Sequence, residues 1–143
     1  MADTFNAGKF GAIVAIPFKV IDAVASQTNV DMSLAAGGTL ATMPMAGSVV
    51  GVSIGSSANI TAGSATFKAH KASTEFPQTE APAVLMNATN SNANSATVRP
   101  GAIRFAANDR LGVSYSSDAT LAPTNTNDFD AVLWVQLDAN VSG

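Results

Sequence analysis

Apolar and polar positions alternate along most of this chain in short runs, the pattern of half-buried β-strands. The runs are rich in β-branched residues and are separated by Gly, Pro, Asn and Asp, which favour turns. Helical periodicity is nearly absent, and only residues 20–27 are compatible with a turn or two of helix. We therefore predict about eight antiparallel strands, near residues 11–20, 30–35, 48–53, 65–72, 83–87, 96–105, 111–116 and 131–137.

The run at residues 131–137 has the clearest pattern. Leu133 and Val135 fall on one face of the strand, whereas Val132 and Trp134 fall on the other. A strand with apolar residues on both faces is typical of a central position in a sheet. We expect one face to lie on the core and Trp134 to lie against another surface.

Two stretches of the chain resemble each other, residues 46–62 and residues 107–123. They share six identities in 17 aligned positions, and both contain Gly-Val-Ser within an alternating strand. Small residues on the second face of these strands would let another layer approach closely. Two equivalent units among eight strands favour a double Greek key, and we predict an all-β fold, a jelly-roll type β-sandwich; other β-sandwiches are the alternative.

The predicted domain organisation is a jelly-roll domain at residues 13–143 preceded by an extended N-terminal arm at residues 1–12. The arm has low structural propensity and two aromatic residues, Phe5 and Phe10. Eleven extended residues would span roughly 35 Å. Such an arm would lie across a neighbour with Phe5 and Phe10 as anchors; a locally packed terminus is the alternative.

Charged residues form 12% of the chain, about half the usual share of ~25%. The surface is therefore covered by small neutral groups, as in a weakly charged soluble β protein or in a protein whose surface is committed to neighbours. The net charge is −3 and there is no basic run, so we expect no nucleic acid partner. No apolar stretch approaches the length of a membrane span, and the N-terminus lacks a signal-peptide pattern.

Residues suited to catalysis or metal binding are few. The chain has no cysteine and one histidine, His70, which alternation places beside Lys68; we expect it to face solvent. His70 is also the only base available to a serine nucleophile, and no nucleophile-elbow motif is present. Residues 124–130 carry alternating oxygen ligands, which suit either a Ca²⁺ site or a turn capped by Asn and Asp. We predict no enzyme, no catalytic or metal site and no cofactor.

Residues 107–138, "ANDRLGVSYSSDATLAPTNTNDFDAVLWVQLD", resemble the C-terminal half of small bacteriophage virion proteins, and residues 43–71 resemble their other half. These are capsid decoration (cement) proteins, head fibres and related appendages with jelly-roll domains. The resemblance implies a homotrimer on the outer surface of the capsid, assembled in the host cytoplasm. It also implies that the major capsid protein is the partner, with subunit contacts stabilised by the bound trimer.

Four aromatic residues are the predicted partner contacts: Phe5, Phe10, Tyr115 and Trp134. For Tyr115 and Trp134, a place in the core remains the alternative to a threefold interface. The second function that the sequence allows is a carbohydrate-binding or adhesion module of a head fibre or tail appendage. Because Trp and Tyr each occur once, the aromatic platform of a sugar site would be small.

Overall fold

The computed structural model describes residues 11–72, 74–75 and 83–138. Within these residues, all α-helical or β-sheet structure is β-strand. The alternating runs of the sequence become strands because each can bury one face. The strands are β1 (Ile13–Val20), β2 (Val30–Asp31), β3 (Ser33–Leu34), β4 (Ala41–Thr42), β5 (Gly47–Ser56), β6 (Ser64–Lys71), β7 (Thr74–Glu75), β8 (Ala83–Asn87), β9 (Ala93–Thr97), β10 (Ile103–Phe105), β11 (Arg110–Ser117) and β12 (Phe129–Leu137).

The strands form two antiparallel sheets. Sheet A has the order β10-β5-β12-β1-β3, with β9 also paired to β5. Sheet B has the order β2-β11-β6-β7, with β4 paired to β11 and β8 to β6. The predicted all-β sandwich is confirmed, and strands distant in sequence lie side by side, an arrangement consistent with a jelly roll. The run predicted to be central is central, because β12 lies between β5 and β1.

The core fills the space between the two sheets. Its aromatic centre is Phe67, whose ring stacks on Tyr115 at a centroid distance of 6.0 Å and meets Phe129 at 5.0 Å. Each fully buried large apolar side chain contributes about 1.5–3 kcal/mol to stability. The largest fully buried side chains are Phe18, Phe67, Phe129, Met32, Met86, Leu111, Leu133, Val49, Val52, Val84, Val113 and Val135.

The two similar stretches take corresponding places in the two sheets. One contains β5 of sheet A and the other contains β11 of sheet B. Equivalent residues point into the core: Val52 and Val113 are fully buried, and Ile60 and Leu121 are nearly so. The ends of the two stretches pair through a β-bridge, in which the amide of Ala122 donates to the carbonyl of Ala62.

Two predicted strands are divided in the structure. The run at residues 96–105 is broken by the turn at Arg99, Pro100 and Gly101, where Gly101 has φ of 87°. Its first part belongs to β9 and its second part contains β10. Residues 30–35 are divided between β2, which joins sheet B, and β3, which joins sheet A. The buried side chain of Met32 lies between them, so the chain crosses the edge of the sandwich here.

The helical turn considered for residues 20–27 does not form. Asp22 and Ser26 have positive φ values of 53° and 59°, which an α-helix does not accommodate. The segment instead forms a loop that packs on the end of β11. The described part of the chain contains no helix with the length and hydrophobicity that crossing a bilayer requires.

Candidate interaction surface

The side chains of sheet A that point away from the core form one continuous surface, which we call the outer face of sheet A. It is built by cross-strand neighbours from β1, β12, β5 and β9, because residues paired across antiparallel strands share a face. Two rows make up its centre: Ala15, Trp134, Gly51 and Thr97 in one, and Pro17, Val132, Ser53 and Ser95 in the other. All eight residues are uncharged.

Trp134 is the largest side chain on this face and is 37% exposed. Its indole Nε1 donates a hydrogen bond of 2.9 Å to the hydroxyl oxygen of Ser53. The residue directly opposite, Gly51, has no side chain, so the indole has room to extend over β5 towards Ser53. This bond satisfies the polar atom of the ring and holds its apolar surface in one orientation at the sheet surface.

A groove of about 270 Å³ lies beside Trp134 on the outer face of sheet A. Ile13, which is 62% exposed, forms part of its wall at the start of β1. The lining is mostly apolar, with hydroxyl groups on the β9 side. The lining residues are Ile13, Val50, Gly51, Val52, Ser53, Ser95, Ala96, Thr97 and Trp134.

Charged groups flank this face at its two ends. Lys19 and Asp130 form an ion pair of 4.0 Å at one end. At the other end the guanidinium of Arg104 binds the carboxylate of Asp138 through both nitrogens, and this hydrogen bonding lowers the pKa of Asp138. The opposite charges pair with each other, so neither end has a net charge from these four groups, and the centre of the face is neutral.

Part of the corresponding face of sheet B, around Gly112 and His70, is covered by the chain itself. His70 was predicted to face solvent, and this prediction was wrong, because its side chain is only 4% exposed. The alternation did place it on the outer face of β6, opposite Gly112 of β11. However, the segment around Thr39 that precedes β4, which we call the covering segment, passes over this face, because a Cβ on Gly112 would lie 2.8 Å from the Thr39 carbonyl oxygen. Asp31 of β2, the strand paired with β11, lies directly across from Ser114 on the same face.

The buried imidazole of His70 makes specific contacts. Nδ1 lies 2.6 Å from the carbonyl oxygen of Ala72, so Nδ1 carries a proton and donates it in a hydrogen bond. Nε2 lies 3.3 Å from a carboxylate oxygen of Asp31, but it has no aligned hydrogen-bond partner among the described residues. The side chain therefore links the end of β6 to Ala72 just beyond it and lies beside Asp31 of β2.

The four predicted partner contacts lie in different places. Of the two places considered for Tyr115, the core and a threefold interface, the structure shows the core. Its side chain is 3% exposed, and its hydroxyl accepts a 3.4 Å hydrogen bond from the amide of Val24. Trp134 lies on the outer face of sheet A. Phe5 and Phe10 lie outside the described residues. The structure adds Ile13 and the hydroxyl groups of β9 to the surface, which the sequence did not identify because strand order was needed to place them beside Trp134.

The loop at residues 124–130 forms a capped turn, the second of the two interpretations of its oxygen-rich sequence. Asn127 is fully buried, and its Oδ1 accepts hydrogen bonds from the hydroxyls of Ser56 and Ser57 and from the amide of Ala58. Its Nδ2 donates to the Ala58 carbonyl oxygen at 3.1 Å. Among the described residues, no group of three or more His, Asp or Glu side chains is placed to hold a metal ion.

Comparison with known proteins shows a similarity in fold but none in sequence families. No family model and no curated protein matches the sequence. The fold is similar to that of a chain in the solved structure of the cyanophage Pam1 capsid asymmetric unit, with a TM-score of 0.52 and 14% sequence identity. The alignment covers 96% of this chain and 99% of that chain. The two proteins therefore share a fold over nearly their whole lengths.

Proposed function

We propose that this protein is a structural component of a bacteriophage virion and not an enzyme. More specifically, it is a capsid decoration (cement) protein that binds the outside of the head as a trimer. There it stabilises contacts between subunits of the major capsid protein. The observation that carries this proposal is the neutral outer face of sheet A, with exposed Trp134 and Ile13, on a fold similar to that of a chain in a phage capsid.

The composition of this face supports a role in protein association. Buried centres of protein interfaces are depleted in charge and enriched in aromatic residues, as the two central rows and Trp134 are. The paired charges at the two ends resemble the polar rim that surrounds such a centre. Trp134 is held by Ser53 before any partner binds, so association would cost little side-chain entropy at this position.

The mechanism is mechanical. Two sheets with a fully buried core make a rigid block, which transmits force between the subunits that it contacts. Each bound trimer adds buried interface area across the boundary between capsid subunits. Threefold symmetry presents the same surface of the protein three times, so one modest contact is multiplied by the arrangement of the shell.

Binding to heads tests this function. Purified protein is mixed with capsids that lack it, the capsids are sedimented, and bound protein is measured for the wild type and for Trp134→Ala. For the wild type we expect saturable binding and an increase in the temperature at which the capsids open. Density at threefold positions of the head in electron microscopy would support the proposal, whereas absence of wild-type binding to these capsids would contradict it.

A carbohydrate-binding appendage remains the second candidate, because the exposed part of Trp134 lies beside the hydroxyl groups of Ser95 and Thr97. The fluorescence of Trp134 distinguishes the two functions, since it is the sole tryptophan of the chain. Saturable changes in emission with host polysaccharide, together with density on the tail or on a fibre, would favour the appendage.

A further inference from the structure

The outer faces of the two sheets differ in what covers them. In sheet B the chain covers part of this face around Gly112, and residues such as Ser114 and His70 are buried. In sheet A the described residues leave the groove beside Trp134 open, although its lining is mostly apolar. An exposed apolar groove with a polar rim is typical of a binding site for another protein segment.

The N-terminal residues join the sandwich at the rim of this groove. The Ala12 carbonyl oxygen accepts a 3.0 Å hydrogen bond from the amide of Leu137, and the next residue, Ile13, forms part of the groove wall. Residues 1–10 lie outside the described part of the chain, and they include Phe5 and Phe10. Every copy therefore has a groove and, beside it, the attachment point of a segment that carries two apolar anchors.

We infer that the groove of each copy binds residues 2–10 of a second copy, with Phe5 or Phe10 inserted beside Trp134. The inference rests on the self-association that is part of the proposed function. It deepens that function by naming the segment and the surface that hold the copies together.

The dimensions fit this arrangement. A cavity of roughly 150 Å³ accommodates a benzene ring, so a groove of about 270 Å³ has room for the side chain of a phenylalanine. Nine extended residues reach roughly 30 Å, about twice the width of the four strands that form the outer face. The neutral centre of this face has no charge that the entry of an apolar ring would leave unpaired.

The position of the attachment point favours a second copy over the same chain. Going backwards along β1 from Ile13, the chain passes the last residues of β12 and leaves sheet A at its end. To enter its own groove the segment would have to reverse direction before Gly11 and fold back over Ile13. A neighbouring copy related by rotation receives the segment without this reversal, and a ring closes when each copy gives one segment and accepts one.

The emission of Trp134 in the full-length protein tests the inference. The double variant Phe5→Ala/Phe10→Ala is compared with the wild type and with Leu85→Ala, which removes an exposed apolar side chain on the other sheet. We expect the double variant to show red-shifted emission, stronger quenching by acrylamide, and self-association weakened by roughly a hundredfold or more. Leu85→Ala should behave as the wild type. Unchanged emission and association in the double variant would overturn the inference.

Cross-linking identifies the copy that supplies the segment. Because the chain has no cysteine, Phe5→Cys and Thr97→Cys each introduce a unique thiol. Mixing the two single variants under oxidising conditions should yield a disulfide-linked heterodimer, in larger amount than mixing Phe5→Cys with Leu85→Cys. If instead a protein carrying both Phe5→Cys and Thr97→Cys closes a bond only within one chain, the segment binds its own groove and the inference is wrong.

Failure of the inference and failure of the proposed function give different results. If the double variant still trimerises and still binds capsids, the inference is wrong and the proposed function remains. If the wild type cross-links between copies but does not bind capsids, the inference holds and the decoration function is wrong.

Discussion

Gly51 in β5 and Gly112 in β11 occupy equivalent positions in the two similar stretches, but their surroundings differ. A Cβ on Gly112 would lie 2.8 Å from the Thr39 carbonyl oxygen and 2.9 Å from the ring of His70. A Cβ on Gly51 would come no closer than 3.1 Å, to the carbonyl oxygen of Ala96 at the edge of an open groove. One glycine makes room for the protein's own chain, and the other helps to form a groove that is open to a partner.

This difference shows that local similarity governs only part of the structure. Both stretches form central strands whose alternate residues enter the same core, since the period of two is set by the backbone. The second face of each strand is determined by other parts of the chain. In sheet B the covering segment before β4 passes over it at Gly112, whereas in sheet A the neighbouring strands supply Trp134 and Ile13 and leave the groove open.

The largest difference in stability is expected between Gly112→Ala and Gly51→Ala, which add the same methyl group on the covered and on the open face. Gly112→Ala should lower the free energy of unfolding by about 2–3 kcal/mol, because the buried, hydrogen-bonded His70 and the backbone of Thr39 cannot move easily. Gly51→Ala should cost about 1 kcal/mol or less. Urea denaturation of the two variants measures the difference. Equal losses would contradict the contrast between the covered and the open face.

The buried ring of His70, which lies beneath the covering segment, gives the next largest effect. His70→Ala removes a buried ring and leaves the Ala72 carbonyl oxygen without its donor, which should cost about 2 kcal/mol of unfolding free energy. Capsid binding should be unchanged where the variant is folded, because His70 lies on the other sheet. Denaturation combined with capsid sedimentation measures both. A variant as stable as the wild type would show that the covering segment does not depend on this side chain.

At the open face we expect the reverse: a substitution should abolish association but lower the stability of the fold only a little. Trp134→Ala should lower the unfolding free energy by only about 1–2 kcal/mol, since the side chain is already partly exposed. Self-association and capsid binding should be lost, because the variant removes the main apolar side chain of the groove. Analytical ultracentrifugation and capsid sedimentation provide the readouts. Loss of stability without loss of association would place the interface elsewhere.

The smallest effect is expected at the rim of the open face. The hydrogen bonds from Arg104 lower the pKa of Asp138 in the folded protein. The pair therefore stabilises the folded state fully at pH values above the unfolded pKa of about 4. This stabilisation is lost as the pH falls through the pKa that Asp138 has in the folded protein. Both groups are largely exposed, so Arg104→Ala should cost less than about 1 kcal/mol at pH 7 and almost nothing near pH 2. Urea denaturation at the two pH values tests this, with Lys19→Ala as the matched variant at the other end. A larger loss at pH 2 than at pH 7 would contradict the assignment.

Much of the fold could be predicted because strand formation is local. Alternation located β1, β5, β6, β8, β11 and β12, and the pattern of β12 indicated both its central position and that Trp134 lies on the face opposite Leu133 and Val135. The division of the runs at residues 30–35 and 96–105 was harder to predict. Residues 30–35 contain no breaking residue, and only the passage from one sheet to the other separates β2 from β3.

The candidate surface was predictable only in part. Trp134 could be assigned to the second face of its strand, but Tyr115 was left between the core and an interface, and His70 was wrongly predicted to face solvent. Both lie on strands whose alternation was interpreted correctly. Their exposure depends on loops and short strands that lie far away in the sequence, such as the segment with Val24 above Tyr115 and Asp31 above His70.

The sequence by itself determined the all-β class, the positions of the long strands, the face of each that enters the core and the low surface charge. These properties depend on neighbouring residues and on composition. Tertiary structure alone decided which strands lie side by side, and therefore that Ile13, Trp134 and the hydroxyls of β9 border one groove. It also decided that one of two similar strands is partly covered and the other is open, because the cover comes from residues that are distant in the chain and meet the strand only in the folded sandwich.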